Sequence, residues 1–186
     1  DFFFKELPVD GICLFRILIA TVAIMSFAQD LTRFEDFWGP KGLQSLETFK
    51  HTFSGLHFNL FHLLEGNHLS LLIILGFHTL ALIGFLLGYK TKLSSILLII
   101  SLTSLAQRNI HIQNGADLLL RILILMMCFA PCGNKFSLDS LFARRRGEQL
   151  KELAPPWAHR LIQMQIAFVY LSTVYAKTKG TYWLDG

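Results

Sequence analysis

The feature that most constrains this chain is a set of five long apolar segments, at residues 12–29, 69–88, 93–107, 116–131 and 158–176. A helix that crosses the hydrocarbon core of a bilayer needs about 20 mostly apolar residues, and three of the segments reach or approach that length. The third and fourth are shorter and can span only as a pair joined by a hairpin. Charged residues make up 16% of the sequence, below the roughly 25% of a soluble domain. The sequence therefore predicts an all-α, multi-pass membrane helix bundle with about five transmembrane helices.

The two ends of the sequence and its cysteines bear on domain organisation. The chain begins with an aspartate and stops directly after a polar motif, so we expect one domain, residues 1–186, truncated at its C-terminus. The first apolar segment lacks the small-residue cleavage site of a signal peptide and is interpreted as a span. Cys13, Cys128 and Cys132 lack the partners of a metal or redox motif. We therefore expect them to pack as small buried side chains, and we predict no metal site.

Basic residues are distributed unevenly over the two sides that five spans would create. Side A holds the N-terminus, the turn at 89–92 and the loop 132–157, and it carries eight lysines and arginines. Side B holds residues 30–68, the hairpin between the third and fourth spans and the C-terminal tail, and it carries six. Short cytoplasmic loops are enriched in Lys and Arg. We therefore expect side A and the N-terminus to be cytoplasmic, and side B to be periplasmic, extracellular or lumenal.

The long side B loop contains a different helix signal. In "LHFNLFHLLEG", leucines recur at helical spacing, which predicts an interfacial amphipathic helix on the membrane surface. The histidines His57 and His62 in this stretch are five residues apart, which is poor spacing for two metal ligands on one helix face. The sequence has a net charge of +4 but no basic stripe interleaved with aromatic residues. We expect the lipid bilayer, and no nucleic acid, as a partner.

The most polar stretch of the apolar region is "QRNIHIQNGAD", residues 107–117. Asp117 and Arg121 are four residues apart, so they share a helix face and can pair. Charges in a membrane usually face a bundle interior or an aqueous cavity. Two interpretations follow, a structural ion pair or the lining of a polar pocket open to side B. Asn114 and Gly115 have a local explanation, since Asn-Gly supplies a tight turn and Asp117 can cap the next helix.

A lysine stands at the side B end of the fifth segment. Lys177 follows "AFVYLSTVY", and a lysine in this place can extend its amine to the membrane interface. The alternative is a partly desolvated lysine that acts as a base. Two glutamines and two tyrosines in the same segment predict that this helix faces other protein rather than lipid.

The order of motifs resembles that of the HTTM (horizontally transferred transmembrane) family, which is related to vitamin K-dependent γ-glutamyl carboxylase. The motifs are "LFRILIA", "FWGPKGL", "LGYKTKLS", "QRNIHIQNGAD", "FAPCGNKFSLDSL" and "IAFVYLSTVYAKTKGTYWLDG". The resemblance covers essentially the whole chain. Its more specific part is the "RN…NGAD" hairpin followed by "VY…AK…W.DG".

This resemblance implies quinol chemistry on the non-cytoplasmic side. The carboxylase oxidises vitamin K hydroquinone with O₂, and the strong base so formed deprotonates a peptide glutamate, to which CO₂ adds. Its base is the second of two adjacent lysines before the "W.(D/E)G" motif. Here Thr178 separates Lys177 from Lys179, which leaves both as candidates. In the carboxylase hairpin a histidine directly follows an asparagine, whereas here Ile110 takes that place and His111 comes next.

The resemblance therefore implies vitamin K hydroquinone or another quinol as cofactor, with O₂ and CO₂ as co-substrates of a carboxylase and a secreted peptide as substrate. The expected catalytic residues are Lys177, Lys179 and His111. The expected lining of the quinol pocket is Arg108, Asn109, Asn114, Asp117 and Arg121. The alternative is a non-enzymatic membrane module for maturation or export of a secreted peptide, in which the polar hairpin is structural.

Overall fold

The computed structural model describes residues 4–39, 42–45, 48–49, 59–63 and 67–179. Secondary structure in these ranges is almost entirely helical, which confirms the all-α prediction. In chain order the elements are the strand β1 (Leu7–Pro8), the helices α1 (Asp10–Leu31), α2 (Phe34–Trp38), α3 (Leu60–Leu63), α4 (His68–Leu87) and α5 (Thr91–Arg108), a 3₁₀ turn (Ile110–Ile112), α6 (Gly115–Phe129), α7 (Leu138–Arg145), the strand β2 (Leu153–Ala154) and α8 (Trp157–Lys179).

Each of the five apolar segments corresponds to one long helix, namely α1, α4, α5, α6 and α8. Among the described helices, α1 and α4 are long and apolar enough to cross a membrane. The 15 residues of α6 span only about 22 Å at 1.5 Å per residue, while serines in α5 and glutamines in α8 reduce their apolar character. The described helices therefore support two membrane spans, and the predicted number of five is not confirmed.

The serines of α5 lie on its buried face, which explains why this helix is less apolar. Ser94, Ser101 and Ser104 are buried along with Leu98, at spacings of three, four and seven residues. Their hydroxyls donate to backbone carbonyls, as Ser101 does to Leu98 at 2.9 Å. Small hydroxyl side chains at a helix interface let neighbouring backbones approach closely. The serines thus support packing rather than contact with water.

The bundle carries apolar residues outward and many polar residues inward. On α1, Leu14, Leu18, Val22 and Met25 are exposed, whereas Arg16 is fully buried. The same holds for α4 and α5, whose outer faces are rich in leucine and isoleucine while histidine, serine and arginine lie inside. Water favours the opposite arrangement, since exposed apolar area is unfavourable there. This distribution fits a protein whose outer surface is in lipid.

Gly88 ends α4 and allows the chain to reverse into α5, so these two helices are antiparallel. Its backbone is left-handed (φ +66°) and its N–H and that of Tyr89 bond back to α4 carbonyls. A Cβ at Gly88 would collide with Nη1 of Arg16. Both the backbone conformation and the space therefore require glycine. Helix α1 packs against α4 and α6, α5 packs between α4 and α6, and α8 packs against α6.

On side A, Asp139 at the start of α7 caps the N-terminus of α5. Its carboxylate accepts hydrogen bonds from the Lys90 and Thr91 N–H groups and from the Thr91 hydroxyl, each at 2.7 Å. Its own N–H donates to the Gly88 carbonyl at 3.0 Å. A carboxylate at a helix N-terminus satisfies unpaired N–H groups and opposes the helix dipole. The motifs "LGYKTKLS" and "FAPCGNKFSLDSL" therefore come together for a structural reason.

A second set of contacts attaches the loop after α6 to the start of α1. Arg16 Nη2 donates to the Phe136 carbonyl at 2.5 Å, and Lys135 Nζ lies 3.1 Å from Asp10 Oδ1. This hydrogen bond from Lys135 to Asp10 raises the pKa of the lysine. Strand β1 pairs with β2 in antiparallel register, with Leu7 opposite Ala154. These contacts hold side A of the bundle together.

The expectation that the cysteines pack as buried residues is confirmed. Cys13, Cys128 and Cys132 are free and buried. Burial raises the pKa of Cys132, which lies in the loop beyond α6, to about 12. This thiol is therefore neutral at physiological pH.

The predicted amphipathic helix lies only partly within the described residues. Helix α3 (Leu60–Leu63) covers its centre, whereas Leu56 and Leu64 lie outside them, as does His57.

Candidate functional site

A cavity with polar and apolar walls lies at the side B end of the bundle. The space that the centre of a water molecule can occupy in it is about 70 Å³. This is enough for a few waters. Helices α1, α4, α5 and α6 and the hairpin contribute its walls. The polar lining residues are Ser26, Asp30, Trp38, His78, Gln113, Asp117 and Arg121, and the apolar ones include Phe27, Leu102, Leu105, Ile112 and Leu120.

His78 enters this cavity from the middle of α4. It is 1% exposed, and its ring lies edge-on to Phe27 with 4.4 Å between ring centroids. Its Nδ1 is 2.8 Å from the Ser101 hydroxyl of α5. The sequence prediction missed this residue, although a histidine within a span is a functional candidate on physical grounds. The signal was present in "GFHTL".

Asp117 and Arg121 both line the cavity, but they do not form the ion pair considered above. The Asp117 carboxylate accepts the Asn114 N–H at 2.9 Å, and Arg121 Nε donates only to the Asp117 backbone carbonyl, at 3.4 Å. Arg121 Nη2 instead donates to Oε1 of Gln113 at 2.6 Å. The guanidinium is thus turned towards the hairpin, and its Nη1 has no hydrogen-bond partner among the described residues.

Asn114 serves as the N-cap of α6. Its Oδ1 accepts from the Ala116 and Asp117 N–H groups at 2.8 and 3.1 Å, and Asp117 reciprocates in a capping box. The predicted tight turn is therefore a helix cap in which Asn114 holds the cap position and Asp117 the third helical position. Asn114 is exposed and outside the cavity lining.

Arg108 anchors the side B loop instead of lining the cavity. The side chain is 1% exposed, and it donates to the Gln44 and Gly39 carbonyls at 2.7 Å each. The rings of Phe49 and Phe61 lie 5.6 and 5.9 Å from its guanidinium carbon. A buried charge is costly without compensating interactions. Here two carbonyls accept its hydrogen bonds, and two aromatic rings contribute cation–π contacts.

Three more polar contacts attach the same loop to the end of α5. Asn109 Nδ2 donates to the Phe37 carbonyl at 2.8 Å, and Asn59 Nδ2 donates to Gln107 Oε1 at 3.0 Å. The Trp38 indole N–H donates to the Leu105 carbonyl at 3.2 Å. Trp38 also lines the cavity, so this loop forms one of its walls.

The three predicted catalytic residues lie outside the cavity lining. His111 is exposed in the 3₁₀ turn, and its backbone N–H donates to Asn109 Oδ1 at 3.1 Å. Lys177 and Lys179 are exposed in the last turn of α8, and the Lys179 amine lies 4.7 Å from the centre of the Tyr175 ring. Their catalytic roles stay predictions.

The fold and this cavity define an all-helical membrane protein with a polar cavity near one end of the bundle. The model of the HTTM domain matches residues 6–186. The chain therefore belongs to the HTTM family. No curated protein and no solved structure matches it.

Proposed function

We propose that all five long helices cross the bilayer, with side A in the cytoplasm. The outward apolar faces support this proposal, as does the set of eight basic residues on side A. Single cysteines at two exposed positions, Ile110→Cys on side B and Gln149→Cys on side A, test it. In intact cells a membrane-impermeant maleimide should label only the Ile110 variant, and the Gln149 variant should require permeabilised membranes. The reverse pattern would overturn the orientation.

The side B cavity acts, in this proposal, on the hydroxyl end of an aromatic quinol. The supporting observation is that one cavity combines an imidazole, two carboxylates and a guanidinium with apolar walls. Such a mixture of apolar lining and a few convergent polar groups is typical of ligand sites. Arg121 and Gln113 would hold the oxygen, and Phe27 and Trp38 would contact the ring. The bound quinol supplies a weakly acidic hydroxyl group.

The size of the cavity limits how such a molecule can bind. Its volume of about 70 Å³ is below the roughly 300–1,000 Å³ of pockets that enclose drug-sized ligands. The residues therefore fit the hydroxyl-bearing edge of one ring. The remainder of the ring system and any tail stay outside the cavity, in contact with the apolar surface of the bundle.

Oxidation of the quinol by O₂ is the activity to measure, with the variants Lys177→Ala and Lys179→Ala in full-length protein. Unchanged epoxide formation in both variants would remove the lysine-base mechanism, and His111→Ala tests the displaced histidine in the same way. Glutamate carboxylation of a secreted peptide belongs to the same proposal. Incorporation of labelled CO₂ into peptide measures it separately from quinol oxidation.

A second candidate is a non-enzymatic membrane module for maturation or export of a secreted peptide. The observation that favours it is the structural use of Gln107, Arg108 and Asn109, all of which attach the side B loop. In this case Lys177→Ala leaves peptide export intact, while Asp117→Leu mainly lowers the amount of folded protein. Loss of export in the lysine variant at normal protein level would argue against it.

A further inference from the structure

Three described groups bear on how the cavity could move a proton: the His78 ring, the Ser101 hydroxyl and the Leu98 carbonyl. The Ser101 hydroxyl lies 2.9 Å from the Leu98 carbonyl, which can only accept. When the single hydroxyl proton occupies that bond, Ser101 Oγ can act only as an acceptor towards His78 Nδ1, at 2.8 Å.

This arrangement selects one tautomer of the histidine. In this arrangement Nδ1 donates to Ser101, so Nδ1 carries the proton of a neutral imidazole and Nε2 carries a lone pair. Nε2 has no hydrogen-bond partner among the described residues, although the residue as a whole is 1% exposed. His78 lines the cavity, so a water or ligand hydroxyl in that cavity can supply the missing bond.

We propose that Nε2 of His78, and not Lys177 or Lys179, which lie outside the cavity lining, is the proton acceptor of the cavity, and that it takes the proton of an aromatic hydroxyl bound there. In this step the O–H bond breaks, its electron pair stays on oxygen, and a new N–H bond forms on Nε2. The products are an imidazolium and an aromatic oxyanion, so no oxidant or further reactant is needed. The inference rests on the proposed function.

The charged groups around the cavity suit these products. Arg121 on α6 lines the same cavity. Its Nη1 has no hydrogen-bond partner among the described residues and can donate to the oxyanion. Asp30 on α1 and Asp117 on α6 line the cavity as well.

A core histidine that only packs is the structural alternative, and the ring contact with Phe27 is consistent with it. That alternative accounts for the Ser101 bond but leaves Nε2 without a partner beside a cavity with room for water. A packing residue would also tolerate glutamine, whereas a proton acceptor would not. The two accounts therefore differ in what the variant His78→Gln does.

The first measurement is nitrogen-15 NMR of histidine-labelled protein in nanodiscs, without ligand. We expect the His78 signals of a neutral ring with the proton on Nδ1, and we expect Ser101→Ala to change that tautomer equilibrium. A proton on Nε2 in the parent protein would overturn the inference.

The second measurement is the absorbance of bound 4-nitrophenol at pH 6, where most of the free probe is protonated. We expect the parent protein to increase the ratio of phenolate to phenol of the bound probe by about tenfold, the change that corresponds to one unit of pKa. His78→Gln should bind the probe with similar affinity and lose this increase. His159→Gln is the matched control, since His159 lies at the side A end of α8, away from the cavity, and it should behave as the parent.

The outcomes separate the two levels of the proposal. An unchanged phenolate fraction in His78→Gln, with binding retained, would overturn the role of His78 and leave the quinol site standing. If the parent protein binds neither 4-nitrophenol nor a short-chain naphthohydroquinone, the proposed function and this inference are overturned together.

Discussion

Among the aspartates and glutamates near the surface of side A, Asp139 is the one whose replacement by alanine we expect to destabilise the protein most. The variant removes three hydrogen bonds of 2.7 Å to the start of α5. It also removes the support for Lys90, whose backbone is left-handed at φ +43°. Helix caps contribute typically about 1 kcal/mol, hydrogen bonds to charged groups about 1.5–3 kcal/mol, and such terms overlap when one group makes them all.

We therefore expect Asp139→Ala to lower the free energy of unfolding by about 3 kcal/mol, and Asp139→Asn by about half of that because one acceptor oxygen remains. For a chain of this size the alanine variant should lower the Tm by roughly 6–12 °C. Thermal unfolding of detergent-purified protein, followed by circular dichroism, measures the shift. Asp36→Ala is the control, since the Asp36 side chain is exposed and makes no hydrogen bond or ion pair among the described residues; it should change stability by less than about 0.5 kcal/mol. Equal Tm values for Asp139→Ala and Asp36→Ala would refute the capping argument.

Three more predictions follow from the packing. Gly88→Ala places a Cβ against Arg16 Nη1 in a left-handed backbone, so we expect a loss of about 2–3 kcal/mol, measured by the same unfolding assay; parent-like stability would contradict the contact. Arg108→Ala removes two hydrogen bonds of the buried guanidinium, and of their two acceptors the Gly39 carbonyl keeps the Gly42 N–H. We therefore expect a loss of about 2–4 kcal/mol and faster proteolysis of the side B loop; an unchanged digestion pattern would argue against its anchoring role. Cys132, with its pKa raised from 9.0 to about 12, should resist alkylation at pH 8 in the folded protein. The Cys132 thiol loses its proton at a lower pH in the unfolded state than in the folded state, so its contribution to the free energy of unfolding falls as pH rises from about 9 towards 12. Chemical unfolding at pH 8 and pH 10 measures this fall. Rapid alkylation of Cys132 in the folded protein at pH 8 would contradict its burial.

The long helices could be predicted because each is a run of apolar residues bounded by polar or glycine residues. Gly88 and Asn114 are examples, since both stand at helix ends where the sequence pattern changes. The number of spans was harder to obtain. The buried serines of α5 reduce its apolar character although they face other helices, so composition alone does not report which medium the helix contacts.

The cavity was predicted only in part. Asp117 and Arg121 were identified because they stand one turn apart in an apolar helix, and both line the cavity. Arg108 and Asn109 look equally polar in the sequence but bond to backbone carbonyls of the distant side B loop. Asp30 and His78 come from helices α1 and α4, and only the packing of these helices on α5 and α6 brings them to the same space.

Photoaffinity labelling tests the central claim most directly, because it reports where a quinol binds without requiring turnover. An azido-substituted naphthohydroquinone is bound to the protein in nanodiscs, illuminated, and mapped by mass spectrometry of proteolytic fragments. The account predicts labels on the cavity-lining segments around Phe27, His78 and Arg121 and on the apolar surface next to the cavity, and competition by unlabelled quinol. Labels spread over the outward apolar faces, with no competition, would contradict a quinol site in this cavity.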